Sequence, residues 1–183
     1  MLSNDPTFLG TVGSVSGSSI SVQLALSIAS GLSIIEGRAY RVGQVGSFIR
    51  IPQGYQDLFG VVSEVGAKEI LDAQGELSGE TGRWMKIQLV GESMGGSFER
   101  GISQYPNIGD SVHTTTVSNL AKIYGSNSYG QVSIGTLSSA ESISAKISIN
   151  ELVTRHSAIL GSTGSGKSTT VASLLRSITC PTD

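Results

Sequence analysis

Eight consecutive residues, Gly161-Ser162-Thr163-Gly164-Ser165-Gly166-Lys167-Ser168, satisfy the spacing G-x-x-x-x-G-K-[ST] at every fixed position. The short run His156–Leu160 (HSAIL) precedes them. Behind them, Val171, Leu174, Leu175 and Ile178 recur at i, i+3, i+4 and i+7, so the spacing predicts a helix over Ser168–Ile178, with Pro181 beyond its end. Strand, glycine turn and helix in that order are the opening of an α/β unit. Gly164 and Gly166 let the backbone turn so that N–H groups converge on one small volume, and the helix start adds its own N–H groups and dipole. In such a cradle the Lys167 ammonium reaches the β- and γ-phosphates of a nucleotide, the Ser168 hydroxyl ligates Mg²⁺, and Thr169 lies near the α-phosphate. The expected nucleotide-binding residues are Gly161, Ser162, Thr163, Gly164, Ser165, Gly166, Lys167, Ser168 and Thr169. Lys167 is the expected catalytic side chain, and ATP with Mg²⁺ the expected ligands.

The preceding residues follow another period. In Ser19–Leu24, Ile20, Val22 and Leu24 alternate with Ser19, Ser21 and Gln23, the signature of a half-buried strand. Further strands are expected at Phe8–Val15, Arg38–Val42, Ser47–Pro52, Gln131–Leu137 and Ser142–Ile149, with a turn around Gly109 and Asp110 leading into another. Leu58–Val65 and Arg83–Gly91 read as a hairpin, and the polar segment 66–81 between them as a long exposed loop suited to contacts. Leu24–Ile35 mixes periods and reads as a strand end plus loop. Many short strands with recurring turn residues predict a mainly β chain: a small barrel over residues 1–150, then the first strand, phosphate loop and helix of a RecA-like α/β domain over 151–183.

Composition narrows the possibilities. Only 14% of the 183 residues are charged while 38% are apolar, which argues against charge-driven disorder. A net charge of −2 argues against nucleic-acid binding by bulk basicity. The one cysteine, Cys180, excludes an internal disulfide and fits a reducing compartment. The N-terminal residues lack a basic region ahead of an apolar run, as a secretory signal would need. The most apolar stretch, Leu24–Ile35, is broken by Ser27, Ser30, Gly31 and Ser33, so no membrane span is expected and the reading is a cytoplasmic protein. His113 and His156 lack a Cys/His cluster, which argues against zinc. Trp84 and Met85 read as packing residues, and Cys180 as an inert thiol. After Ser168 no acidic residue closes a second apolar strand and no arginine is placed to complete hydrolysis, so the chain reads as the front of a longer protein, inactive alone.

The run RHSAILGSTGSGKSTTVASLL, following QVSIGTL and SISAKISINELV, resembles the HerA-type ATPases of the FtsK/HerA superfamily. GQVGSFIRIPQGY (43–55) and LFGVVSEVG (58–66) are similar to the barrel these proteins share with rotary ATP synthases, in versions from anti-phage defence operons. The resemblance implies a hexameric ring with ATP between subunits, double-stranded DNA through its centre and translocation or unwinding driven by hydrolysis. It also implies a nuclease or sirtuin-like effector docked on the barrel side, in DNA repair or defence. Only the phosphate-loop residues carry over from the family's functional set.

Among residues 1–150, nine Lys/Arg side chains face twelve acidic ones, so the barrel is expected to join proteins rather than to grip phosphates. One alternative is a barrel that serves purely as an assembly scaffold for a partner enzyme. Another is a secretion or pilus motor ATPase, whose phosphate loop often reads TGSGKSTT but follows a different α/β domain.

Overall fold

The computed structural model describes residues 5–28, 32–35, 38–41, 43–71, 77–125, 129–137 and 140–180. Expectations that fell on residues 1–4, 29–31, 42, 72–76, 138–139 and 181–183, Pro181 among them, lie outside those residues. The chain divides into two compact units, one ending at Thr116 and one beginning at Val117.

The first unit contains β1 (Phe8–Ser16), β2 (Ser19–Leu24), β3 (Leu32–Ile35), β4 (Arg38–Arg41), β5 (Phe48–Gln53), β6 (Gln56–Leu71), β7 (Leu77–Met94), β8 (Ser97–Arg100) and β9 (Ser111–Thr114). Six of these strands close an antiparallel barrel. The order is β2-β1-β9-β5-β6-β7, and β7 returns to β2 through the pairs Ser19–Gln88 to Gln23–Trp84. β8 adds one strand outside the ring on β7, and among the described residues β3 pairs with β4 alone. The chain is therefore mainly β, with the expected barrel at its front.

Alternation explains the closure. Ile20, Val22 and Leu24 of β2, Ile49 and Ile51 of β5, Leu58 and Val62 of β6, and Met85, Ile87 and Leu89 of β7 point inward and are buried together with Leu9, Val12 and Val112. Each such side chain contributes about 1.5–3 kcal/mol when removed from water. Curvature comes from bulges, where the β6–β7 register shifts after Phe59 and again after Val62, and the β1–β2 register after Val12. At Gly66 the neighbouring backbone must stay bare, because a Cβ there would lie 2.5 Å from Cζ2 of its cross-strand partner Trp84. Met85 is core, as expected, and Trp84 lies half-buried over that glycine.

The segment expected to be a loop after Gly66 is mostly strand. β6 continues to Leu71 and β7 resumes at Leu77, so the hairpin extends well past the barrel. Backbone pairing accounts for this: a two-stranded ladder satisfies the N–H and C=O groups that face the partner strand whatever the side-chain polarity. At Leu24–Ile35, β2 ends at Leu24, a single 3-10 turn occupies Leu26–Ile28, and β3 follows.

His113 closes a polar cluster on the outer face, where it pairs with Phe8 and Arg50 of the adjacent strands. Asp5 Oδ1 accepts from the Thr7 backbone N–H at 2.8 Å and from the Thr7 hydroxyl at 2.6 Å. With its proton so engaged, Thr7 Oγ1 accepts from His113 Nδ1 at 2.9 Å, and Asp5 Oδ2 lies 3.3 Å from the same nitrogen. Phe8 packs edge-on against the imidazole, and Arg50 pairs with Asp57 at 2.9 Å beside it. Burial pushes the His113 pKa down, overcoming the opposing pull of Asp5. The Thr7 hydroxyl holds the Asp5 carboxyl below its ordinary value.

The second unit contains α1 (Val117–Tyr124), β10 (Gln131–Leu137), β11 (Ala140–Ser148), α2 (Ile149–Thr154) and α3 (Lys167–Thr179). β10 and β11 form a two-stranded sheet of their own, against which α1 and α3 lie. The units thus part after Thr116, whereas the change of sequence pattern falls near residue 150. Leu120, Val132, Ala140 and Ile143 are buried in this unit. Among the described residues no helix is long and apolar enough to cross a membrane.

Two outcomes follow for stability. Ile87→Ala should cost about 2–5 kcal/mol in urea unfolding without a change of fold, as expected for a cavity in a closed core. The depressed His113 and Asp5 values mean that folding favours their deprotonated forms. Stability from His113 should be intact above its ordinary 6.5 and decline as pH falls below it; that from Asp5 should be lost only at lower pH still, below 3.8. Unfolding free energies measured from pH 8 to 5 should fall for the native chain and fall less for His113→Gln, which keeps a donor for Thr7 and does not titrate.

Candidate functional site

The glycine-rich segment lies in the second unit, between α2 and α3. Ser148 caps α2, accepting from the Glu151 N–H at 3.3 Å, and Arg155 ends it with its own N–H on Glu151 O at 3.1 Å. The chain then runs without a ladder partner from His156 to Leu160. The strand expected there is absent among the described residues, since a single extended segment has no neighbour to pair with. Its apolar end is uncovered, with Leu160 90% exposed.

From Gly161 the backbone curls. Ser165 N–H donates to Ser162 O at 3.2 Å, and Gly164 and Gly166 take φ values of +82° and +85°, the left-handed region that glycine enters at little cost. Gly161 passes close beneath this turn, where an added Cβ would lie 2.5 Å from Ser165 Oγ. The Lys167 ammonium folds back across the loop and donates to Ser162 O at 2.6 Å. The lysine is half-buried, while the other residues from Gly161 to Thr169 are exposed.

α3 begins at Lys167, one residue earlier than the apolar spacing required. Gly166 occupies its N-cap and offers no side-chain hydrogen bond. The first intrahelical bond runs from Thr170 N–H to Gly166 O at 2.8 Å, so the amides of Lys167, Ser168 and Thr169 have no acceptor within the helix. No acidic side chain stands in the first turn. Three unspent N–H groups, the positive end of a helix dipole and one ammonium therefore converge, an arrangement suited to a multiply charged anion. All nine residues singled out in the sequence, Gly161 to Thr169, form this one continuous feature.

The remaining candidates lie elsewhere. His113 belongs to the polar cluster of the barrel wall, His156 is exposed before the loop, and Cys180 is exposed beyond α3. Among the described residues no three His, Cys, Asp or Glu side chains gather as a metal site. A hydroxyl such as that of Ser168 would hold a magnesium ion together with phosphate oxygens and water rather than within a protein cage. Val171 and Leu175 of α3 stay 40% and 56% exposed, leaving part of its apolar stripe uncovered.

Residues 132–180 match the family model described as the central domain of helicase HerA. A probable helicase of Methanocaldococcus jannaschii is 37% identical over 94 residues, which cover 51% of this chain and 17% of that protein. A second probable helicase of the same organism is 46% identical over 59 residues, 32% of this chain and 11% of its own length. The DNA double-strand break repair helicase HerA of Pyrococcus furiosus is 39% identical over 70 residues, 38% of this chain and 12% of that helicase. The matched segments thus span less than a fifth of each relative.

The loop geometry carries its own test. Gly166→Ala should cost about 1–2 kcal/mol locally, the penalty of a left-handed backbone for a residue with a Cβ. Hydrogen exchange should accelerate at residues 162–168 and stay unchanged in the barrel strands.

Proposed function

We propose that this chain belongs to the HerA-type family, on the match of residues 132–180 to the central domain of helicase HerA, that its second unit opens an ATP-driven motor and that residues 161–169 hold the nucleotide. The observation that carries this reading is the uncapped start of α3 beneath two left-handed glycines, with Lys167 folded over the same loop. The free amides of Lys167, Ser168 and Thr169 bind phosphate oxygens. The ammonium exchanges the Ser162 carbonyl for the β- and γ-phosphates, so the lysine is held near its working position before the ligand arrives. The Ser168 hydroxyl helps hold Mg²⁺, which when bound offsets phosphate charge.

At the level of the whole protein, copies assemble as a ring of six around double-stranded DNA, which hydrolysis moves or unwinds. The barrel joins subunits and receives a nuclease or sirtuin-like effector, in repair or in antiviral defence, in the cytoplasm. Its acidic balance supports contacts with protein over contacts with DNA phosphates.

Mg²⁺-ATP should raise the unfolding free energy of the second unit by about 2.7 kcal/mol at roughly 100 times its Kd, and Lys167→Ala should remove most of that gain. In the protein carrying a whole motor, Lys167→Ala should abolish ATP hydrolysis while leaving assembly and effector binding intact. Turnover retained in that variant would contradict the assignment.

A further inference from the structure

The β6–β7 hairpin outruns the barrel, and one of its edges is open. β5 accompanies β6 only through Val61, and the last backbone bonds on that side join Gly46 and Ser47 to Val62. From Ser63 onward β6 pairs with β7 alone among the described strands. Ser63–Lys68 therefore presents half its N–H and C=O groups outward over about 20 Å, a template for another strand.

The side chains on this edge are arranged symmetrically. Glu64 and Lys68 are exposed and stand two residues to either side of Gly66, on the same face of the ribbon. Val65, 42% exposed, and Ala67 flank the same glycine on the opposite face. Among the described residues Lys68 forms no ion pair, and its partner on β7 is Gly82, which brings no charge.

We propose that this edge joins two copies of the chain, Ser63–Lys68 of one antiparallel to the same segment of the other about a two-fold axis at Gly66. In that register Glu64 lies opposite Lys68 of the second copy and Lys68 opposite Glu64, while Val65 lies opposite Ala67 on the other face. Cross-strand neighbours at that spacing attract or repel directly. Parallel pairing in register would set Glu64 against Glu64 and Lys68 against Lys68. A slip of one residue would set Glu64 against Ala67 or Glu69 and Lys68 against Ser63 or Val65, so neither charge would meet its opposite. Charges on an edge ordinarily deter pairing. Here the antiparallel register centred on Gly66 sets each charge against its opposite, so in it the segment is its own complement, the requirement of an isologous contact. Gly66 at the centre adds no side chain, and the half-buried Trp84 rings of the two copies would share the face beside the axis. The pairing uses no residue of the phosphate loop, and its two-fold axis relates copies that are not neighbours in a six-fold ring, so it stands apart from both the nucleotide and the ring contacts.

Sedimentation equilibrium of the chain should show association that Glu64→Lys or Lys68→Glu alone weakens roughly tenfold, since each leaves like charges opposed. An equimolar mixture of the two variants should restore it. One copy then brings two positive charges to the contact and the other two negative ones, so opposite signs meet at both positions. Lys68→Glu should melt like the native chain, since its β7 neighbour Gly82 carries no charge, while Glu64→Lys, which faces Lys86 on β7, should melt slightly lower and remain folded. A native chain that stays monomeric, single variants that associate unchanged, or a mixture no better than its components would each overturn the proposal. Mass contributed by any other contact is separated by disulfide trapping in a Cys180→Ser background. Val65→Cys should cross-link with Ala67→Cys in mixture and far less with itself; equal self-cross-linking would also overturn it.

Discussion

The pairing of β2 with β7 is the contact on which the rest of the first unit depends. Residues Ser19–Gln23 and Trp84–Gln88 are far apart in sequence, and their ladder turns an open sheet into a ring. Closure removes the two edges that six antiparallel strands would otherwise expose, and it surrounds Ile20, Val22, Met85 and Ile87 with apolar neighbours. It also determines where the fold stays open. Once β2 and β5 have left the hairpin, β6 and β7 continue alone, so the long unpaired edge is a consequence of where the ring closes.

The second unit is organised differently. Its apolar stripe on α3 is only partly covered, and its glycine-rich loop rests on left-handed glycines and one lysine-to-carbonyl bond rather than on a packed core. Lys167 satisfies Ser162 O with a charge that a nucleotide would also attract. A loop held by an exchangeable bond keeps its curvature while leaving its amides available.

Legibility followed how local each determinant is. The barrel strands were readable because alternation in segments such as Ser19–Leu24 is written in adjacent residues, and the loop Gly161–Thr169 because its spacing is itself the geometry. Helix α1 was missed although Val117, Leu120, Ala121 and Tyr124 fall at i, i+3, i+4 and i+7, a pattern that would have disclosed it. The extension of β6 and β7 past Gly66 was hidden because polar side chains there say nothing about backbone pairing. Alternation in Gln131–Leu137 and Ser142–Ile149 marks strands but not which core receives them, and they lie in the second unit. For His156–Leu160 the apolar run suggested a strand, yet a strand exists only with a partner. The Asp5–Thr7–His113 cluster joins residues more than a hundred positions apart, and no local signal marks it.

The central claim is that the backbone between Gly161 and Thr169 is a receptor for a polyphosphate. Its most direct test is residue-resolved: amide chemical shifts of the chain titrated with Mg²⁺-ATP. The account predicts saturable shifts concentrated at Gly164, Gly166, Lys167, Ser168 and Thr169, with the barrel strands unmoved. Amides in that loop unchanged by saturating nucleotide, or shifts confined to the barrel, would contradict it.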